Sequence, residues 1–221
     1  SDQQRFVAEI FVGDDGAEGE TRRLLETLND PRVRVVEFAE RRGKPVVLNA
    51  LIPLCSSEII VLCDARQILS DETIPELTAC FADPRVGVVS GELSFRVRAG
   101  ETTAGRGIGA YWRYEKSIRK TEARFRSVPG ATGALYAIRR ELFQSIPENT
   151  LLDDVVIPMR IIEQGYLCVF EPNAIAWDDP SATLDKEAIR KRRTIAGAVQ
   201  LAVRNARWLL PWRNPIWFEY V

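Results

Sequence analysis

Short apolar runs rich in β-branched residues alternate along residues 8–90 with segments whose apolar side chains recur every three or four positions. Runs of the first kind predict strands, and spacing of the second kind predicts helices. The predicted strands are residues 8–12, 33–38, 58–63 and 86–90. The predicted helices between them are residues 21–28, 44–54 and 71–81. This alternation is typical of βαβ units, so the sequence predicts an α/β fold with a mainly parallel central sheet flanked by helices.

Beyond residue 98 the pattern is less regular, and long helical segments dominate it. A turn at Pro129 and Gly130 precedes a strand at residues 133–138, and a second, buried strand is predicted at residues 166–170. The predicted helices are residues 105–126, 155–164 and 185–207. The last helix leads into an aromatic segment, residues 208–221. Its rings either pack on the domain or lie close to a membrane.

Composition and charge mainly exclude classes of function. The chain has 30 basic and 31 acidic residues, so its net charge of −1 predicts no nucleic-acid partner. It has no histidine, which leaves carboxylates to carry any proton transfer. Its four cysteines form no CxxC pair, which favours a reducing, cytosolic compartment over a zinc ribbon or a disulfide framework. Neither a signal peptide nor an apolar run of about 18 residues is present, so we expect this chain to be soluble.

Aspartates follow two of the predicted strands. Asp14, Asp15 and Gly16 come after the first strand, and Asp64 comes directly after the third. Ligands of open α/β sheets bind beyond the carboxyl ends of strands, so both clusters are expected to face one crevice. Like charges in a crevice need a compensating cation, such as a divalent metal held together with substrate phosphates. The alternative is that these aspartates only open turns or cap helices.

Two basic features lie near the ends of predicted helices. The segment Arg41–Lys44 starts the helix at residues 44–54, where its side chains and free backbone N–H groups either meet phosphate or are simply solvated. In the last helix, Arg190, Arg193, Gly197 and Gln200 recur at intervals of three, four and three, which places them on one face. Two guanidinium groups on one helix face match a diphosphate. The alternative is that this face is simply solvated.

A third acidic pair, Asp153 and Asp154, directly precedes the helix predicted at residues 155–164. Acidic residues are favoured at helix N-termini by the macrodipole, which gives them a purely structural interpretation. The alternative is that one of them, kept from water among apolar neighbours, serves as a general base. The sequence pattern alone supports both interpretations.

In this order, the segments resemble the inverting family 2 glycosyltransferases of GT-A fold, the nucleotide-diphospho-sugar transferase fold. Asp14-Asp15-Gly16 is similar to the nucleotide-binding aspartates of that family, and Asp64-Ala65-Arg66 stands at its DxD metal motif. The remaining matches are Gly43-Lys44 with Leu48-Asn49-Ala50 for GKxxALN, Gly130 to Arg140 for GxxGxxxxxRR, Leu152-Asp153-Asp154 for the (T)ED motif, and Arg190 to Gly197 for QxxRW. The resemblance covers nearly the whole chain.

The resemblance implies a role for each matching residue. Asp154, beside Asp153, would be the catalytic base that deprotonates the acceptor hydroxyl, and Asp64 would bind Mg²⁺ or Mn²⁺ at the diphosphate. Gly130 and Gly133 would lie on the acceptor side. The donor-binding residues would be Asp14, Asp15, Lys44, Asn49, Asp64, Arg66, Arg190 and Arg193.

Several positions depart from the family pattern. Arg66 stands where DxD has its second acid, which leaves one carboxylate for a metal. Arg190 and Thr194 replace the Gln and Trp of QxxRW, and Asp153 replaces the usual Glu. The family has a strand before the one at residues 8–12, so we expect the chain to be truncated at its start. Members often continue into membrane helices, so we also expect missing segments after the aromatic tail.

From the resemblance we predict one structural domain with a nucleotide-sugar-binding half at residues 1–98, an acceptor-binding and catalytic half at 99–207, and a membrane-proximal tail at 208–221. The predicted function is inverting transfer of a hexose from a nucleoside-diphosphate sugar, most commonly UDP-linked, to a glycan or lipid-linked acceptor in envelope or exopolysaccharide synthesis. The predicted location is the cytoplasmic face of the cell membrane, with attachment through flanking segments. The alternative is a non-catalytic GT-A module that serves as a scaffold at a membrane.

Overall fold

The computed structural model describes residues 5–16, 20–27, 29–95, 127–178 and 184–217. The helix predicted at residues 105–126 lies outside these ranges. The strands are β1 (Ile10–Asp15), β2 (Val33–Phe38), β3 (Ile59–Cys63), β4 (Ile68–Leu69), β5 (Val86–Phe95), β6 (Leu135–Arg139) and β7 (Leu167–Asp178). The helices are α1 (Glu20–Thr27), α2 (Lys44–Leu51), α3 (Thr73–Ala79), α4 (Asp153–Glu163) and α5 (Leu184–Arg204).

The described strands form two sheets. β1 and β2 make a parallel pair, and the other five strands follow the order β3-β6-β5-β7-β4. In the larger sheet only β5 and β7 run parallel, whereas β3–β6, β5–β6 and β4–β7 are antiparallel. The α/β class is as predicted, but the larger sheet is mixed rather than mainly parallel. Alternating strands and helices predict parallel pairing only between consecutive strands. β6 belongs to the second half of the chain, and it lies between β3 and β5 and runs antiparallel to both.

β6 is the centre of the core, because its five residues are all buried. Their side chains alternate between the two sheet faces, as the pleat of a strand requires. Tyr136 and Ile138 pack in the same cluster as Ile157 of α4. Leu135 packs with Leu77 of α3 on the opposite face. Helices thus cover both faces of a strand that connects the two predicted halves of the chain.

The helices that reach the site begin close to their predicted positions. α2 begins at Lys44, with Pro45 in its first turn, where a missing N–H group costs no helical hydrogen bond. Gly13 of β1 lets α2 pack closely, since a Cβ atom there would overlap the side chain of Val47. α4 begins at Asp153, two residues earlier than predicted, because both acidic residues join its first turn.

The C-terminal segment both packs on the domain and projects from it. Trp208 is fully buried in the main core cluster, and its Nε1 donates to Glu163 Oε1 at 2.8 Å. Trp212 is 76% exposed. Packing on the domain is therefore confirmed for Trp208, whereas the membrane-proximal interpretation stays a prediction. Among the described residues, no helix combines the length and the apolar character that crossing a membrane requires.

Candidate functional site

Asp15, the last residue of β1, binds the chain just before α2. Its Oδ1 accepts a hydrogen bond from the N–H of Arg42 at 2.6 Å, and its Oδ2 accepts one from the N–H of Gly43 at 2.9 Å. Gly43 has a φ of 92°, a left-handed conformation that favours glycine. The expectation that free N–H groups at this helix start meet phosphate is therefore wrong for these two amides, because Asp15 already occupies them.

Lys44, the first residue of α2, joins three motifs that are distant in sequence. Its Nζ lies 3.2 Å from Oδ1 of Asp64, 3.2 Å from the carbonyl oxygen of Gly133 and 3.3 Å from Oδ2 of Asp153. Burial acts to lower the pKa of Lys44, but the charges of Asp153, Asp64 and Asp154 outweigh it and raise that pKa above its ordinary value. Lys44 is therefore a fixed positive charge at the centre of the acidic cluster.

The two neighbouring acids at the start of α4 have different environments. Asp153 is only 4% exposed, and among the described residues its Oδ2 has no hydrogen-bond partner, although it lies in ion-pair range of Lys44. A charge pair needs no linear alignment, so Asp153 and Lys44 attract each other at this distance without a hydrogen bond. Asp154 is less buried, and its Oδ2 lies 2.7 Å from where a Cβ atom of residue 133 would stand. The absence of a side chain at Gly133 thus makes room for the Asp154 carboxylate.

Pro158 connects this helix start to the loop before β6. A proline inside a helix has no N–H group, so it leaves the carbonyl of the residue four positions earlier without its helical partner. That residue is Asp154, and its carbonyl oxygen instead accepts a hydrogen bond from the N–H of Ala131 at 2.8 Å. Gly130 packs against the same turn, where a Cβ atom would lie 3.2 Å from Val155. The loop that contains Gly130 and Gly133 is thereby fixed against the first turn of α4.

Arg66, which follows β3, contacts two carboxylates. Its Nε donates to Oδ2 of Asp178 at 3.1 Å, and its Nη2 lies 3.7 Å from Oδ2 of Asp64. Asp178 ends β7 and also accepts a hydrogen bond from Gln67 at 3.2 Å. The side chain of Asp178 is mostly buried, whereas that of Arg66 is exposed. Arg66 therefore stands between the two acidic strand ends of the larger sheet.

A cleft of about 550 Å³ opens beside the start of α2. Asp15 and Lys44 lie on one side of it, and the loop at residues 148–151 and Arg193 lie on the other. Gly197 packs on Leu152. Gln200 binds the backbone of this loop at both Asn149 and Leu151, and Arg193 lies near the carbonyl of Leu151. The predicted stripe of α5 is thus confirmed for Arg193, Gly197 and Gln200, whereas the side chain of Arg190 lies outside the described residues.

Four predicted donor residues do not line this cleft, namely Asp14, Asn49, Asp64 and Arg66. Asn49 of α2 forms a two-sided hydrogen-bonded pair with the backbone of Ile146, at 2.7 and 2.9 Å. Asp14 is buried at the end of β1. Their donor-binding roles stay predictions, because these contacts involve the protein alone.

Tyr136 was not among the predicted site residues. Its side chain is fully buried, and within the described chain its hydroxyl has no hydrogen-bond partner. Burial, and then the charges of Asp153, Asp154 and Asp64, raise the pKa of Tyr136 well above its ordinary value, so the hydroxyl stays protonated. The alternation of β6 could have placed Tyr136 on the face toward α4, but nothing in the sequence indicated which acids lie there.

A family model described as "Glycosyltransferase like family 2" matches residues 2–197, which is most of the chain. The chain belongs to this family. Its curated relatives include two proteins named N-acetylglucosaminyltransferase. The one from Rhizobium meliloti (strain 1021) is 24% identical over 182 residues, which cover 75% of this chain and 42% of the relative. The one from Rhizobium sp. (strain N33) is 25% identical over 184 residues, which cover 76% and 40%. The family 2 chain thus spans about two fifths of the length of these relatives.

Two solved structures share the fold of this family 2 chain. The mannosyltransferase PcManGT from Pyrobaculum calidifontis, in complex with GDP-Man and Mn²⁺, has a TM-score of 0.70 and 26% identity, and the match covers 89% of this chain and 55% of that one. GalNAc-T7, with UDP, GalNAc and Mn²⁺, has a TM-score of 0.57 and 18% identity, with coverage of 80% and 38%. Both are GT-A glycosyltransferases, which confirms the predicted GT-A fold.

Both solved structures contain Mn²⁺, in agreement with the prediction of a divalent cation for this fold. The residues at the corresponding site of this chain fit such an ion poorly. Each oxygen of the one motif carboxylate, Asp64, already has a protein cation within ion-pair range, namely Lys44 and Arg66. Across the described ranges, no group of three or more cysteine, aspartate or glutamate side chains is arranged to hold a metal.

Proposed function

We propose that this chain is the catalytic domain of an inverting glycosyltransferase that moves a hexose from a nucleoside-diphosphate sugar to an acceptor hydroxyl. The observation that carries the proposal is the meeting of three distant motifs at Lys44 Nζ, which lies within 3.3 Å of Asp64, Asp153 and the Gly133 carbonyl. Family membership supports the same conclusion. The names of the curated relatives make a UDP-linked N-acetylhexosamine the first donor to test.

Asp154 is the proposed catalytic base. Its carboxylate faces the space beside Gly133, whereas Asp153 is buried in ion-pair range of Lys44. A general base must come within hydrogen-bond reach of the proton that it removes, and the more exposed carboxylate has that access. Inversion follows if the activated hydroxyl attacks the anomeric carbon from the face opposite the leaving diphosphate. Asp153 then acts as a positioning residue that keeps Lys44 in place.

On the donor side we propose that Arg193 and Lys44 meet the diphosphate in the cleft that both residues line. Fixed cations stabilise negative charge as it develops on a leaving group, because they need no reorganisation during the reaction. Asp15 keeps the start of α2 in place through its two backbone hydrogen bonds and lines the same cleft. Its contact with the nucleoside stays a proposal, as do those of Asp14, Asn49 and Arg190.

Calorimetric titration of the chain with UDP, UDP-N-acetylglucosamine and GDP-mannose tests the donor half of the proposal. We expect saturable binding of at least one nucleotide, and weaker binding by Arg193→Ala, which removes a cation from the cleft. Arg23→Ala, on the exposed side of α1, is a matched control that should bind as the native chain does. Absence of binding for every nucleotide would contradict the proposal.

Release of UDP or GDP from the donor tests turnover. A slow release by water alone, accelerated by added glycan acceptors, supports an enzyme and excludes a non-catalytic GT-A module. Donor binding without any release would favour that module instead. Sugar transferred with retained configuration, measured by NMR of the product, would contradict the single displacement proposed for Asp154.

Membrane association is a separate part of the proposal, and it rests on α5. Ile195, Val199 and Val203 are spaced four residues apart and are each more than half exposed, so they form an apolar stripe. Basic residues accompany the stripe, and the sequence from Ile189 to Trp217 contains no acid. This combination is typical of helices that lie on anionic membrane surfaces, and the exposed Trp212 fits the same location.

Sedimentation with vesicles of phosphatidylglycerol and phosphatidylethanolamine tests this association. We expect binding that increases with the anionic fraction and that Val199→Asp with Val203→Asp removes. Equal sedimentation of the native and the doubly substituted chain would contradict it. The cytoplasmic face of the cell membrane and a lipid-linked acceptor stay proposals that this experiment supports only in part.

A further inference from the structure

Arg66 occupies the position between two carboxylates that a bridging cation would take. Its guanidinium donates to Asp178 at 3.1 Å and lies 3.7 Å from Asp64, whereas the other oxygen of Asp64 is 3.2 Å from Lys44 Nζ. Asp64, the first acid of the motif, directly follows β3, and Asp178 ends β7. Both carboxylates therefore already have positively charged protein partners.

We infer that Arg66 serves as a built-in cation, so that this chain binds the diphosphate of its donor without requiring a divalent metal. The inference rests on the proposed function. A guanidinium carries five N–H donors in a rigid fork that matches phosphate oxygens. Only Nε of Arg66 is used in a hydrogen bond within the described chain, and its side chain is 63% exposed. The remaining donors are therefore available to a phosphate.

The two carboxylates also explain why an arginine is stable here. Asp178 is only 11% exposed at its side chain, and a buried carboxylate without a cationic or hydrogen-bonding partner is unfavourable. A divalent ion would have to displace Lys44 and Arg66 from Asp64 before it could bind there. Because those cations belong to the folded chain, the ion would compete with them at every concentration.

The test compares the native chain with Arg66→Asp, which restores the second acid of the motif. UDP and GDP binding is measured by calorimetry in EDTA and in Mn²⁺, and bound Mn²⁺ is measured by electron paramagnetic resonance. For the native chain we expect nucleotide affinity to change by less than about threefold between the two conditions, and no stoichiometric Mn²⁺ binding. For Arg66→Asp we expect a loss of about tenfold or more in EDTA, which Mn²⁺ reverses at least in part.

Arg85→Asp is the control, because Arg85 is also an exposed arginine but forms its ion pair with a different aspartate, Asp83. It should leave nucleotide binding unchanged in both conditions. Arg66→Gln, which keeps polarity and size without charge, replaces the acidic variant if that variant does not fold. It should lose affinity in EDTA without gaining Mn²⁺ binding.

Native-chain affinity that appears only with Mn²⁺, or stoichiometric Mn²⁺ binding with Arg66 in place, would overturn the inference while leaving the proposed transferase intact. Equal affinity of the native and Arg66→Gln chains in EDTA would also overturn it. No binding of either nucleotide in either condition would overturn the proposed function and this inference together.

Discussion

Two helices begin at the candidate site, and their first turns are built in opposite ways. α2 begins with a cation, Lys44. The carboxylate of Asp15, at the end of β1, accepts hydrogen bonds from the two backbone amides just before this helix. α4 begins with two acids of its own, Asp153 and Asp154, and no side chain in the described part of the chain caps it. The positive end of a helix dipole favours the acids of α4 and disfavours the lysine of α2.

The difference explains why the acids of α4 are not equivalent. Lys44 gains stability at an unfavourable helix position by pairing with Asp64 and with Asp153, the first acid of α4. Asp153 is thereby used in holding the two helix starts together. Asp154, one residue later, points toward Gly133 instead. Under the proposed function, the first of these adjacent carboxylates is a positioning group and the second is the base.

The largest expected effect separates these two acids. Asp154→Asn should lower the transfer rate by about 10² to 10⁴-fold, the usual contribution of a general base, and should leave donor affinity and stability nearly unchanged. Asp153→Asn should lower the rate far less and should destabilise the fold. Steady-state kinetics and chemical denaturation of both variants measure this difference. Equal rate losses in the two variants would contradict the division of roles.

The second prediction concerns the pair that joins the helix starts. Lys44→Met and Asp153→Asn should each lower the free energy of unfolding by about 1–3 kcal/mol. The first leaves the buried Asp153 without its cation, and the second removes one of the two carboxylates that pair with Lys44. The double variant should lose less than the sum, and the difference measures their coupling. Additive losses would show that the ion pair between these groups, at 3.3 Å, contributes nothing to the free energy of unfolding.

The same pair has a defined pH dependence. The pKa of Lys44 is raised in the folded chain, so its stabilising contribution is complete below about pH 10.4, the ordinary lysine pKa, and is lost as pH rises through the higher folded value. The difference in unfolding free energy between the native chain and Lys44→Met should therefore stay flat from pH 7 to 9. A slope in that range would contradict the assigned partners.

A smaller effect is expected at the start of α2. Asp15→Asn removes one of the two acceptor oxygens for the amides of Arg42 and Gly43, and loss of one such hydrogen bond costs about 1 kcal/mol. Thermal unfolding measures the loss. Asp30→Asn is a comparison variant at an exposed turn outside the cleft, and it should not change nucleotide affinity. An Asp15→Asn variant that unfolds at the same temperature as the native chain would show that these hydrogen bonds do not stabilise the fold.

The smallest effect tests how α4 holds the neighbouring loop. Pro158→Ala gives the helix an N–H group that competes for the carbonyl of Asp154, which now binds Ala131. We expect a loss of only a few-fold in transfer rate, about 0.5–1 kcal/mol in activation free energy, with stability unchanged or increased. Kinetics and denaturation of this variant provide the measurement. A loss of both activity and stability would contradict the proposed role of the proline.

Much of the site could be predicted because it depends on local order along the chain. Asp15 and Asp64 follow strands whose apolar pattern is clear, and Asp153 and Asp154 precede a periodic helix. The direction of β6 could not be predicted in this way, because strand pairing is set by partners distant in sequence. The pairing of Arg66 with Asp178 could not be predicted for the same reason, since 112 positions separate the two residues.

The sequence by itself determined which residues end the strands and begin the helices, because periodicity and turn chemistry act over a few positions. It also predicts that carboxylates carry any proton transfer, because the sequence has no histidine. Tertiary structure decided which charges meet. The contacts of Lys44, Arg66 and Asp153 depend on how separate elements pack, and electrostatic interactions depend on distances in space that no spacing along the chain specifies.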